Sequence, residues 1–182
     1  MKKVIIGIGI PSSGKTTVLK KFAKEYGYDY ICTDDLRLEM FGKIEYQVSP
    51  KDDSWKLRSR EVWDEARKRT RGSLENGNTL VFDAVFNDAD KRKEFLDFVK
   101  ENGAEKIQGI YIDAPIDVAK KRNSERERKV PEQIIDNIAA DLKEAKPKIE
   151  EGLDSIFTID EYQNLIAAEI RSPEGNIRKG FR

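Results

Sequence analysis

The chain of 182 residues contains no histidine and a single cysteine, Cys32. Without histidine it lacks the commonest general base and the commonest metal ligand, so acid–base chemistry falls to carboxylates and a structural zinc site is not expected. One cysteine forbids an internal disulfide and fits a reducing compartment. Net charge is lacking too: Lys+Arg and Asp+Glu both count 34, so a polyanion would have to be held by a local patch rather than a general positive coat. No apolar stretch approaches the length of a membrane span. The start, Met1-Lys2-Lys3 followed by Val4 to Ile10, imitates a secretory signal only superficially, because Gly7, Gly9 and Pro11 interrupt it. A buried first strand is expected there, in a soluble, cytoplasmic protein with no membrane partner.

What is present is organised around Gly9-Ile10-Pro11-Ser12-Ser13-Gly14-Lys15-Thr16, which fills every fixed position of the phosphate-loop pattern Gly-x-x-x-x-Gly-Lys-[Ser/Thr]. The apolar run Val4–Ile8 precedes it. Val18, Leu19, Phe22, Ala23 and Tyr26 follow at helical spacing, which supplies the strand and helix the motif needs. Glycine lets backbone N–H groups curl round a phosphate, and the helix start adds its positive dipole end. Lys15 adds a full charge near the β- and γ-phosphates, and the Thr16 hydroxyl is placed to ligate Mg²⁺. The expected donor site is therefore Gly9, Pro11, Ser12, Ser13, Gly14, Lys15, Thr16 and Thr17, taking ATP with Mg²⁺.

Further strands are expected at 28–33, 79–82, 107–112 and 155–159, separated by helical patterns. Thr33 or Asp34 is expected to cap one helix, and Asn87 or Asp88 another. This alternation predicts an α/β fold of the P-loop NTPase, small-kinase type: a central, mostly parallel sheet of about five strands, helices on both faces and a helical lid. Residues 1–170 are expected to form one domain with the lid at about 116–131. Residues 171–182 form a tail without clear periodicity, either disordered or docked back as an extended segment. Ligands of such sheets gather at the strands' carboxyl ends. The phosphate loop, Asp34, Asp83 and Asp113 should therefore share one rim, and the segment near the last strand should contact the donor's base.

Asp34 and Arg37 are three apart at a helix start and project from one face. Asp34 alone reads as an N-cap, and Arg37 as a solvated charge or the partner of a nearby acid such as Asp34. With a phosphate loop upstream and no histidine, Asp34 becomes the candidate base for an acceptor hydroxyl, and Arg37 the holder of an anionic acceptor group. Arg122 and Arg126 share a face if their helix continues through both. They would then close over the triphosphate as lid cations, the alternative being a self-paired surface with Glu125 and Glu127. Asp83 is the candidate to reach Mg²⁺ directly or through water, the alternative being a turn residue. Asp113 reads as organising entry to the lid helix.

The residues from 2 to 17, the runs Thr33-Asp34-Asp35-Leu36-Arg37, Asp83 to Asn87 and Ile112-Asp113-Ala114-Pro115, and Lys121-Arg122-Asn123-Ser124-Glu125-Arg126 with Val130-Pro131 resemble the kinase domain of bacteriophage polynucleotide 5′-hydroxyl kinase. They stand in that family's order and at similar spacings. The resemblance implies that Lys15 and Thr16 serve ATP·Mg²⁺, that Asp34 is the general base on a 5′-hydroxyl, and that Arg37 binds the acceptor's 3′-phosphate. It implies that Arg126 reaches the donor phosphates, with Arg122 in support. Ser12 stands where that family usually has glycine, and Leu36 where the phage enzyme has an aromatic residue. The expected partner is a DNA or RNA 5′ end. A small-molecule hydroxyl on a nucleoside, antibiotic or sugar-like compound is the alternative acceptor. A nucleotide-binding switch or toxin-like module leaves the paired Asp34 and Arg37 unexplained.

Overall fold

In the computed structural model, which describes residues 1–46 and 53–181, the apolar run before the phosphate loop forms β1 (Lys3–Ile8). It is buried almost throughout, as a strand covered on both faces must be. Its alternation divides the core: Val4, Ile6 and Ile8 join one apolar cluster, while Ile5 joins a second with Leu19 and Ala23 of α1 (Lys15–Tyr26). The larger cluster is covered by α3 (Asp53–Glu75) and α4 (Ala89–Glu101), through Val62, Ala66, Leu74, Phe95 and Leu96 among others. Helices therefore lie on both faces. Tyr26, expected on the buried face of α1, is instead 55% exposed and stacks on Tyr28.

The remaining strands are β2 (Asp29–Cys32), β3 (Leu80–Asp83), β4 (Lys106–Ile112), β5 (Ser155–Ile159), β6 (Leu165–Arg171) and β7 (Ile177–Phe181). Among the described residues they make one seven-stranded sheet in the order β2-β3-β1-β4-β5-β6-β7. The first five of that order are parallel. The chain leaves β1 for one side of the sheet and crosses from β3 to β4 on the other, so the strand order reverses beside β1. A crevice opens there at the carboxyl ends.

β6 and β7 add an antiparallel hairpin beyond the five strands read from sequence. Their signal is weak because Leu165-Ile166-Ala167-Ala168 does not alternate, and Leu165, Ile166, Ile170 and Phe181 remain exposed. Ladder hydrogen bonds hold them, with Ile177 packed against the main core. Residues 47–52 of the polar connection lie outside the described residues.

Helix starts follow local chemistry. Asp88 caps α4 by accepting the N–H groups of Asp90 and Lys91. For α2 (Thr33–Phe41) neither expected cap is used: extended Cys32 takes the N-cap position without a side-chain bond, so Asp34 and Asp35 fall inside the first turn, where the helix dipole favours them. The segment expected as a lid begins with α5 (Ile116–Ser124), and α6 (Glu132–Glu144) starts after Pro131. Among the described residues, no helix is long and apolar enough to cross a membrane.

Gly7 is a point of close approach between α1 and the sheet. A Cβ there would stand 2.2 Å from Leu19 Cδ1 and 3.1 Å from Lys15 Cγ, and Leu19 is fully buried. Gly7→Ala is expected to lower stability by about 1–3 kcal/mol, the usual cost of overpacking a core. Urea denaturation followed by circular dichroism measures it. An unchanged midpoint would show that α1 can slide on the sheet.

Candidate active site

The phosphate loop joins β1 to α1 with an unusual backbone. Gly9 has φ +153°, and a Cβ there would press to 3.1 Å from the Ile112 carbonyl oxygen and 3.2 Å from Ser13 Oγ. Ser12 is left-handed as well, at φ 62°, which costs a side-chain-bearing residue roughly 1–3 kcal/mol. Its hydroxyl lies 3.4 Å from Asn123 Oδ1 and accepts from Arg126 Nη1 at 3.1 Å. The serine in place of glycine thus ties the loop to the lid. Ser13 Oγ is buried without a partner among the described residues, the condition of a group shaped for a ligand that brings its own acceptor.

Parallel register sets the acid of the site. Gly7 pairs with Asp83 across β1 and β3, and Val81, two residues before Asp83, faces the α1 cluster. With a side-chain period of two, Asp83 points the same way, at the start of α1. It accepts from Lys15 Nζ at 2.9 Å, Thr16 Oγ1 at 2.7 Å and Tyr30 Oη at 2.8 Å. Burial pushes the carboxyl up, but the Lys15 charge and the three hydrogen bonds outweigh it, leaving Asp83 below the ordinary carboxylate range. Tyr30, raised by burial and by Asp83, stays a protonated donor. Among the described residues, no cluster of three or more Cys, Asp and Glu groups could hold a metal ion. A Mg²⁺ here would take Thr16 and Asp83 from the protein and fill its shell with phosphate and water oxygens, as this ion commonly does.

The lid arginines reach the loop by a route different from the expected one. α5 ends at Ser124, so Arg122 and Arg126 do not share a continuous helix. The helix stops because the buried Asn123 side chain turns to Val130, donating to its carbonyl at 2.8 Å and accepting its N–H at 2.9 Å. That exchange closes the charged loop 124–129 over the site. Arg122 donates to the Ser13 carbonyl at 2.9 Å and the Glu161 carbonyl at 2.7 Å. Arg126 reaches Ser12 from the loop.

Asp34 lies two residues beyond Cys32, which pairs with Asp83 in register, so it shares the rim with the phosphate loop. Arg37 Nη1 is 3.5 Å from Asp34 Oδ1. Arg128, a lid residue not singled out from sequence, brings Nη2 to 3.3 Å from Asp34 Oδ2. Asp113 accepts from Tyr111 at 3.1 Å and pairs with Lys146 at 3.5 Å, directly after Ile112, whose carbonyl lies against Gly9 of the phosphate loop. Beside the loop, a cleft of about 210 Å³ is lined by Thr17, Val18, Arg122 and the β5–β6 turn residues Asp160, Glu161 and Gln163.

A family model described as an AAA domain matches residues 4–145. The chain is 28% identical to the L-seryl-tRNA(Sec) kinase of Methanococcus maripaludis over 94% of its own length and 71% of that protein's. It is 24% identical to a putative bifunctional polynucleotide phosphatase/kinase of Acanthamoeba polyphaga mimivirus, over 88% of this chain and 34% of that one. A chain of the Pnkp1/Rnl/Hen1 RNA repair complex superposes with a TM-score of 0.68 at 22% identity, covering 80% of this chain and 45% of that one. The chain thus spans less than half the length of the latter two.

Proposed function

We propose, for a chain that belongs to the AAA domain family and is a P-loop phosphotransferase, that it transfers the γ-phosphoryl group of ATP to the 5′-hydroxyl of DNA or RNA. The observation that carries this reading is the Asp34 carboxylate, flanked by Arg37 and Arg128 on the rim that also holds Lys15 and Asp83. Phosphoryl transfer passes through a loose transition state, so the protein's task is positioning and charge stabilisation. The loop backbone and Lys15 hold the donor phosphates. Arg122 and Arg126 bring positive charge from the lid, and the cleft beside Val18 takes the donor's base. Thr16 and Asp83 would hold Mg²⁺, which when bound would neutralise charge on the phosphates. Asp34 accepts the acceptor's hydroxyl proton while Arg37 binds its 3′-phosphate.

The names of the two curated relatives, a seryl-tRNA kinase and a polynucleotide phosphatase/kinase, support an acceptor hydroxyl carried by nucleic acid. A small uncharged acceptor leaves Arg37 without a ligand. Arg37→Ala is expected to lower kcat/KM on a 3′-phosphorylated 5′-hydroxyl acceptor roughly 30-fold or more, the scale of losing one partner of a desolvated charge pair, while slow ATP hydrolysis persists. Equal loss of transfer and hydrolysis would move Arg37 from acceptor binding to support of the fold or donor site.

A further inference from the structure

Beyond Asp34, several polar groups converge without satisfying one another. The Arg37 side chain is only 16% exposed, yet its nearest carboxylate oxygen among the described residues is 3.5 Å away. Burial pushes its guanidinium below the ordinary value, with Asp34 offsetting part of the shift. Arg128 gives one nitrogen to Asp34, and its Nε is buried without a partner among the described residues. Tyr46 Oη is also buried without a partner among the described residues, and Arg128, Asp34, Arg126 and Arg37 all act on it electrostatically. Two guanidinium groups, those of Arg37 and Arg128, therefore face one carboxylate beside this hydroxyl. A buried donor left unpaired costs about 1–3 kcal/mol, and an anion entering here would satisfy two such donors together.

We propose that Arg128 and Tyr46 join Arg37 in a clamp for a phosphate group carried by the acceptor, making Arg128 a specificity-determining residue. This rests on the reading of Asp34 as the acceptor-side base. Guanidinium groups grip phosphate through paired N–H donors, and the tyrosine hydroxyl adds a third direction. The same arrival frees the base: Arg128 turns from Asp34 to the phosphate, and Asp34 is released to face the hydroxyl. An acceptor without a phosphate leaves Arg128 on Asp34, so it both loses clamp contacts and meets an engaged base. The substrate class is thus a hydroxyl compound with a phosphate close by, such as a nucleoside 3′-monophosphate or an oligonucleotide end, in preference to a plain nucleoside or sugar.

The test uses the whole chain with a nucleoside 3′-monophosphate and the matching plain nucleoside, in Arg128→Ala, Arg128→Lys and Tyr46→Phe variants. Transfer kinetics are read beside calorimetric binding of the 3′-monophosphate. Arg128→Ala is expected to raise KM and Kd for the 3′-monophosphate roughly 30-fold, collapsing the preference over the nucleoside, with Arg128→Lys recovering part of it. Tyr46→Phe is expected to weaken the same binding by about 10-fold, the scale of one hydrogen bond to a charged group. Equal effects on both acceptors, or binding indifferent to Arg128, overturn the clamp even where the wild type transfers phosphate. Arg128-dependent binding without any transfer supports the clamp and instead removes the kinase reading of Asp34.

Discussion

Replacing Asp34 by asparagine is expected to lower phosphoryl transfer by about 10²- to 10⁴-fold, the contribution of a positioned general base, which corresponds to roughly 2.7–5.4 kcal/mol at 1.36 kcal/mol per tenfold. Asparagine keeps the size and one acceptor oxygen but cannot take a proton. Asp34 touches none of Lys15, Thr16 or Asp83 through a hydrogen bond among the described residues, so the loss should fall on kcat with the KM for ATP little changed. Its two arginine contacts are long, and its side chain is 43% exposed. Half-exposed ion pairs contribute about 0–1 kcal/mol, so the variant should fold. Steady-state kinetics with a 5′-hydroxyl oligonucleotide make the measurement. A near-normal kcat would remove Asp34 as the base and leave it a first-turn acid of α2.

Arg92→Ala is expected to cost about 3–5 kcal/mol of stability, the scale of leaving one member of a buried ion pair uncompensated. Arg92 has no exposed surface. It grips both carboxylate oxygens of Glu151, and donates to the Phe86 carbonyl at 2.7 Å and the Ala145 carbonyl at 3.0 Å. One guanidinium therefore joins the loop after β3, the end of α6 and the 3₁₀ turn Ile149–Glu151. The loop after β3 follows directly on Asp83, so the tie also steadies the acid that meets Lys15. Removing the arginine strands a largely buried carboxylate and two carbonyls. The double variant Arg92→Met with Glu151→Gln should recover part of the loss, because no uncompensated charge then remains. Urea denaturation of the three proteins decides it. A loss below about 1 kcal/mol for Arg92→Ala would mean that water enters and solvates Glu151.

Much of the candidate site was legible because its information is local. The phosphate loop occupies consecutive residues between a strand and a helix, and Asp34 with Arg37 sit three apart on one helix face. Asp83 was legible as the end of an apolar strand. What stayed hidden depends on contacts between distant segments. Arg128 reaches Asp34 from 94 residues away, on a loop whose path is set by Asn123 bonding to Val130. Nothing in a run of alternating Glu and Arg marks which arginine turns inward. Tyr30 reads as a core aromatic of β2 until its hydroxyl is seen on Asp83. Arg92 reads as a solvated charge of α4, and only the fold brings Glu151 to it. The hairpin of β6 and β7 was missed because both strands keep exposed apolar residues, so no buried face writes a period into the sequence.

The acceptor is tested most directly by incubating the protein with γ-labelled ATP and Mg²⁺ against 5′-hydroxyl DNA, 5′-hydroxyl RNA, a seryl-tRNA, a nucleoside 3′-monophosphate and plain nucleosides, and locating the label in each product. The label is predicted on the 5′-oxygen of the nucleic acids and of the 3′-monophosphate, with plain nucleosides far poorer. Label confined to plain nucleosides, or to the seryl hydroxyl, would contradict a 5′-hydroxyl kinase.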